Sequence, residues 1–276
     1  MTDLNESPAM QIHDTAILSI RDLSVAFTVG IGRHKSRMVA VNKVSLTVER
    51  GQIRALVGES GSGKSTVARS ICGLQKEYSG EILFDGVKLA PRRSREQWRQ
   101  IQMVFQDPYA SLDPRMNVGE TLRELLKFHK VVPQSQVAAR CNELMELVQL
   151  PKSMLRSRPG SMSGGQRQRV AIARALSLNP RLLIADEAVA ALDVSVQAGI
   201  VNLLGDLRNG LDLSILFIAH DLAVVRNLCD DVSVIYRGDI VEEAPRTELF
   251  SNPDNAYTQQ LLSAVPRLQS AFLDSQ

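Results

Sequence analysis

The stretch Gly58-Glu59-Ser60-Gly61-Ser62-Gly63-Lys64-Ser65-Thr66 fits the pattern glycine, any four residues, glycine, lysine, serine or threonine, and the rest of the chain is best read outward from it. Glycine and other small residues let successive backbone N–H groups turn inward around a β-phosphate, and the helix that follows adds the positive end of its dipole. Lys64 supplies the charge that neutralises β/γ oxygens, and Ser65 supplies a hydroxyl that ligates Mg²⁺. The flanks agree with this reading: residues 53–57 form a short apolar run suited to a buried strand, and residues 65–74 have a helical pattern. Strand, glycine-rich turn and helix in that order predict a grip for a nucleoside triphosphate.

At 276 residues the chain can bury a full core, as one large domain or as a domain with an inserted subdomain. A net charge of +2 implies no strongly basic face and no nucleic-acid partner. The local run Arg92-Arg93-Ser94-Arg95 reads as a solvated loop. No apolar run approaches the ~20 residues needed to cross a bilayer, and residues 1–13 are polar rather than signal-like, so a cytosolic, non-spanning chain with a disordered leader over 1–15 is expected. Cys72, Cys141 and Cys229 are widely spaced without a C-x-x-C pair, which predicts reduced, mostly buried thiols rather than disulfides or a zinc site.

Upstream of the loop, residues 17–29 and 44–48 alternate apolar and polar, with a basic loop over 33–37 between them. They predict a small antiparallel sheet beside the nucleotide. Phe27, at its far end, either stacks on an adenine ring or packs into the core. Downstream, residues 80–86 read as a strand entering a tight turn, and residues 101–105 as a buried strand that delivers Gln106 before Asp107-Pro108 ends it. From 107 to 176 the pattern is helical. Val118, Leu122, Leu125 and Leu126 share one face, as do Val137, Cys141, Leu144, Met145 and Val148. Within this segment Ser163-Gly164-Gly165-Gln166 opens a helix, where free N–H groups hold anions.

Residues 182–185 form an apolar strand ending in Asp186-Glu187. A helix with Ile200, Leu203, Leu204 and Leu207 on one face then leads to a strand over 213–219, followed at once by His220-Asp221. Strands alternating with helices predict an α/β fold with a mainly parallel sheet and its ligand-binding residues at the strands' C-terminal ends. A closing hairpin over 232–243 turns at Arg237-Gly238, and a last helix covers 256–264.

Beside a phosphate loop, an apolar strand ending in Asp-Glu has a specific use. Asp186 holds the Mg²⁺ shell, and Glu187 orients or deprotonates the attacking water. His220 either donates a hydrogen bond to the γ-phosphate or is a satisfied structural histidine. Gln106, at another strand end, serves the metal or the water.

The ordered set Gly58 to Thr66, Gln106, Ser163-Gly164-Gly165-Gln166, Asp186-Glu187, Asp193 and His220 resembles the nucleotide-binding subunit of an ABC transporter, over about residues 17–266. Two runs narrow the resemblance to the ATP-binding subunits of oligopeptide, dipeptide and nickel importers: Phe105-Gln106-Asp107-Pro108-Tyr109-Ala110-Ser111-Leu112-Asp113-Pro114-Arg115 and the tail Asn255-Ala256-Tyr257-Thr258-Gln259-Gln260-Leu261-Leu262. Asp193-Val194-Ser195-Val196-Gln197 fits the same group.

The resemblance implies a P-loop NTPase fold over 16–266 with an N-terminal antiparallel β-subdomain, an inserted helical subdomain over 107–176, a family tail over 245–266 and a frayed end over 267–276. It also implies ATP and Mg²⁺ as ligands. Ser163, Gly164, Gly165, Gln166 and Asp193 would act on the ATP carried by a second cassette, a related chain rather than an identical copy. The remaining partners would be two membrane-spanning permease subunits and an extracytoplasmic solute-binding protein, with this chain peripheral on the cytoplasmic face of the inner membrane.

One segment departs from the family. Where relatives read Asp-Glu-Pro-Thr-Ser-Ala-Leu-Asp, this chain has Asp186-Glu187-Ala188-Val189-Ala190-Ala191-Leu192-Asp193, which removes a hydroxyl at Ala190. The competing readings are an importer of nickel or another small solute, a soluble ABC-type ATPase acting on ribosomes or DNA, and a single-site kinase. The second would bring a second cassette or a coiled-coil insertion, and the third would leave the Ser163 grip unused.

Overall fold

The computed structural model describes residues 15–30, 35–190 and 192–264. Residues 1–14 of the leader expected over 1–15, Arg33 and His34 of the basic loop, Ala191, and the frayed end expected over 267–276 lie outside the described residues.

Two long strands, β1 (Ala16–Val29) and β2 (Ser36–Glu49), pair antiparallel. A bulge at Asp22, which has φ of 49°, shifts the buried face of β1 from Leu18 and Ile20 to Leu23 and Val25. β3 (Ile53–Val57) runs through the glycine-rich loop into α1 (Lys64–Ile71). β4 (Ser79–Phe84) and β5 (Val87–Lys88), turned at Asp85-Gly86, complete a sheet in the order β2-β1-β4-β5. The first sheet is therefore antiparallel throughout, as the alternating patterns predicted.

α2 (Arg95–Gln100) starts at a reciprocal cap between Ser94 and Gln97 and runs straight into β6 (Ile101–Val104). The helices α3 (Val118–Phe128), α4 (Val137–Leu147) and α5 (Gly164–Leu176) pack on one another. They bury Val118, Leu122, Val137, Cys141, Leu144 and Met145 along the faces that the 3.6-residue period marks out. Then come β7 (Leu182–Asp186), α6 (Val194–Leu211), β8 (Ser214–Ala219), α7 (Leu222–Leu228), β9 (Asp231–Tyr236) and β10 (Asp239–Pro245). Two short helices, α8 (Arg246–Ser251) and α9 (Ala256–Ser263), follow.

The second sheet has six strands in the order β10-β9-β3-β8-β7-β6, parallel except for β10. Both of its faces are covered, and successive residues of each strand alternate between two cores. Ala55, Ala185 and Phe217 face the helical layer, whereas Leu56, Ile184 and Leu216 face α1 and the antiparallel sheet.

One expectation needs correcting. Arg93, read as part of a solvated basic loop, is only 6% exposed. Its guanidinium donates to the carbonyls of Ser70 at 2.6 Å, Ile71 at 3.0 Å and Ala90. The C-terminal end of α1 leaves carbonyls without helical partners, and a planar, always charged donor satisfies several of them at once.

The three cysteines are free and buried, as expected. Burial pushes the Cys72 thiol up to about 12 and the Cys229 thiol also upward, which disfavours the thiolate at both. Among the described residues no helix is long and apolar enough to cross a membrane.

Candidate functional site

Strand register brings the candidate residues to one edge of the sheet. Val57 is level with Ala219, Ile218 with Asp186, and Ala185 with Val104. The chain therefore leaves β3 at Gly58, β8 at His220, β7 at Glu187 and β6 toward Gln106, all at the C-terminal edge of a parallel sheet.

The loop is held in shape by close backbone approach. Gly63 caps α1 at φ of 111°, and a Cβ there would lie 2.4 Å from the Ala40 carbonyl, so only glycine fits. Lys64 is 4% exposed, and its ammonium donates to the carbonyls of Gly58 at 2.7 Å and Glu59 at 2.8 Å. Burial lowers its pKa, partly offset by Glu187, Asp186 and Glu59. The Gly238 N–H donates to the Ser62 carbonyl at 3.0 Å, clamping the loop from the β9–β10 turn. Among the described residues the buried Ser62 Oγ has no hydrogen-bond partner.

Ser65 Oγ donates to Asp186 Oδ1 at 3.1 Å, joining the loop to the end of β7. Desolvation raises the Asp186 pKa, with the Ser65 bond acting against it. A hydroxyl and a desolvated carboxylate in contact are a hard-oxygen pair suited to Mg²⁺, which itself relieves such a carboxylate.

Glu187 follows in the left-handed region at φ of 48°, its N–H donating to the Ile218 carbonyl at 3.0 Å and its carbonyl accepting from Ala190 N–H at 3.0 Å. This turned backbone holds Glu187 at the end of β8, where Oε1 lies 3.6 Å from His220 Nδ1. Ala188 and Val189 are 2% and 4% exposed in the helical-side core, so apolar residues suit both positions.

Gln106 is exposed, and none of the side-chain hydrogen bonds among the described residues involves it. Phe27 is half-buried against the core beneath the antiparallel sheet.

The second glycine-rich segment is built differently. Ser163 caps α5 by accepting from Gln166 N–H at 3.3 Å, while Gln166 Oε1 accepts from Ser163 N–H at 3.0 Å. This leaves the first-turn N–H groups of Gly164 and Gly165 without an intrahelical acceptor. A Cβ on Gly165 would lie 2.3 Å from Val196 Cγ1, so α5 abuts the start of α6. Asp193 caps α6, accepting from Ser195 Oγ at 2.7 Å and Val196 N–H at 3.0 Å, and these bonds lower its pKa. No hydrogen bond among the described residues links Ser163–Gln166 to the Gly58–Thr66 loop.

Two contacts were not legible in sequence. Gln197 Nε2 donates to the carbonyls of Val189 at 3.1 Å and Leu192 at 3.0 Å, pinning the segment between Glu187 and Asp193. The Glu59 N–H donates to the Tyr257 hydroxyl at 3.1 Å, tying α9 to the glycine-rich loop. An amide or phenol in a helix carries no local sign of such a distant partner.

Residues 41–190 match the family model described as ABC transporter. A protein of Brucella abortus named as a peptide import ATP-binding protein is 52% identical over 257 residues, covering 91% of this chain and 77% of that one. The glutathione import ATP-binding protein GsiA of Escherichia coli is 46% identical over 91% of this chain and 41% of its own length. Among solved structures, cbiO1 from Clostridium perfringens, part of the ABC transporter complex cbiONQ, is 27% identical with a TM-score of 0.74, covering 86% of this chain and 92% of that one. The dimeric ATP-binding cassette MJ0796, bound to ADP and Pi in a post-hydrolysis state, is 27% identical with a TM-score of 0.72, covering 83% and 98%.

Proposed function

The chain belongs to the ABC transporter family of ATP-binding cassettes, and from that premise we propose that it is the ATP-hydrolysing subunit energising import of a small solute, a peptide, through separate membrane subunits. The observation that carries this reading is the Ser65–Asp186 contact at 3.1 Å, with Glu187 leaving the same sheet edge 3.6 Å from His220. This supports reading Ser65 and Asp186 as a metal-binding pair, Glu187 as a base and His220 as a γ-phosphate donor around one phosphate loop. Peptide is the solute favoured because the relatives at 52% identity carry that name.

In this reading the loop N–H groups and Lys64 hold the phosphates. Ser65 and Asp186 hold the metal, with Gln106 a further ligand or a holder of the water. Mg²⁺ held by these residues would supply positive charge against the negative charge that develops on the phosphate oxygens. Glu187 orients the attacking water and takes its proton, while His220 donates to the γ-phosphate. Phe27 takes the adenine.

Among the described residues the N–H groups at the start of α5 make no hydrogen bond to this chain's own phosphate loop, which supports their use on ATP carried by another cassette. Ser163, Gly164, Gly165, Gln166 and Asp193 form that trans grip, so ATP joins two cassettes and hydrolysis releases them. The second cassette is a related chain, the solute comes from an extracytoplasmic binding protein, and the assembly sits peripherally on the cytoplasmic face of the inner membrane. Residues 16–266 form the cassette, with 107–176 as the helical unit that passes closure to the permeases and 245–266 as its tail.

The test is a Glu187→Gln chain in Mg²⁺ and ATP, alone and with its related cassette, examined by light scattering. An ATP-dependent dimer supports the reading; a chain that stays monomeric in both settings overturns it.

A further inference from the structure

We infer that Tyr257 is a positioning residue for the phosphate loop, through which the C-terminal helix α9 sets the chain's affinity for ATP. The inference rests on the reading of Gly58–Thr66 as the ATP grip. One peptide unit carries it: the peptide joining Gly58 to Glu59 is held on both sides. Its carbonyl, that of Gly58, accepts from Lys64 Nζ at 2.7 Å, and its N–H, that of Glu59, donates to the Tyr257 hydroxyl at 3.1 Å. In a trans peptide these two groups point in opposite directions, so fixing the N–H also fixes where the carbonyl aims. The Tyr257 hydroxyl therefore steers the ammonium that meets the phosphates.

Tyr257 is itself well anchored. Its ring lies 4.2 Å, centroid to centroid, from that of Tyr236 at the end of β9. Asn255 caps α9 by accepting from Tyr257 N–H at 2.8 Å. Glu242 of β10 in turn accepts from the N–H groups of Asp254 at 2.9 Å and Asn255 at 3.2 Å. The Asn255 side-chain amide donates to the Val241 carbonyl at 3.3 Å. A continuous set of bonds thus runs from the β9–β10 hairpin through the α9 cap to the loop. The same hairpin holds the loop a second time, since Gly238 N–H donates to the Ser62 carbonyl at 3.0 Å. A helix serving only to cover the core would need Leu261 and Leu262 against it, but not a phenol on a loop amide.

Tyr257→Phe removes the hydroxyl and keeps the ring. On the full-length chain we expect the Kd for Mg²⁺-ATP, measured by calorimetry, to rise about three- to tenfold, the worth of one hydrogen bond. KM for ATP should rise with it, and kcat at saturating ATP should stay within about twofold of the parent. Asn255→Ala, which touches no loop atom but loosens the α9 cap, should weaken binding in the same direction, and Gln260→Ala on the same helix should not. An unchanged Kd in Tyr257→Phe overturns the inference while leaving the function intact. A lowered kcat with unchanged KM overturns it in favour of a purely structural role. A parent chain that does not bind ATP overturns both this inference and the reading beneath it.

Discussion

Replacing Gly165 by alanine tests whether the start of α5 is seated directly on α6. The added Cβ would lie 2.3 Å from Val196 Cγ1, more than an ångström inside ordinary contact. Val196 has little room to yield, because a β-branched side chain in a helix keeps essentially one rotamer. Either Val196 leaves that rotamer or the two helices move apart, and overpacking of this kind costs about 1–3 kcal/mol. In a chain of this size that lowers Tm by about 2–5 °C. The structure also specifies the rescue. Val196→Ala removes Cγ1 and Cγ2, and the nearest remaining atom, Val196 Cβ, would be 3.6 Å from the new methyl, an ordinary contact. Thermal unfolding of the parent, both single variants and the double variant, with ATPase activity measured alongside, gives the coupling energy directly. The double variant should recover most of the stability lost in Gly165→Ala. If the two losses simply add, the close packing of these helices is wrong, and with it the placement of the Ser163 grip beside the Asp193 segment.

Glu187→Gln should lower turnover by about 10²–10⁴ with ATP binding retained, read from steady-state kinetics and a binding isotherm. Lys64→Ala should abolish ATP binding in the same isotherm, because the β/γ oxygens lose their buried cation. Arg93→Met keeps the volume but removes the guanidinium from the carbonyls of Ile71, Ala90 and Ser70, of which Ser70 keeps the Gly73 N–H, so urea unfolding should show a loss of about 2–3 kcal/mol. Asp85 accepts from Arg181 at 2.5 Å and from Arg50, and these bonds, Arg181 first, hold its carboxyl below the usual carboxylate range. A depressed folded pKa contributes stability that is present above the ordinary carboxylate value and is lost as pH falls through the depressed one. Asp85→Asn should therefore lower Tm at neutral pH, and the gap to the parent should close as pH falls below the ordinary carboxylate range through the depressed Asp85 value.

The parts of this protein that could be read from sequence are those whose physics is local. The phosphate loop announces itself because glycines, a lysine and a hydroxyl must be adjacent, and Asp186-Glu187 because the preceding strand is apolar to its end. The helical faces of α3 and α4 follow from period alone. Arg93 was misread because its partners are carbonyls at the end of α1, more than twenty residues upstream. A charged residue in a polar stretch looks the same whether it meets water or a helix end. Gln197, Tyr257 and the Gly165–Val196 contact were hidden for the same reason. The long β1–β2 pairing was only partly visible: β1 reads from its alternation, but β2 starts at Ser36, inside the run read as a basic loop, and residues 36–39 are all exposed, so no alternation marks them.

The central sheet behaves as a partition wall rather than as a shared core. Phe217 belongs to the room of the helices and Leu216 to the room of α1 and the antiparallel ribbon, although they are neighbours in one strand. A substitution's effect should therefore depend on parity along the strand before it depends on residue type. Variants on one side would disturb the packing of the helical layer, those on the other the packing around α1 and the glycine-rich loop.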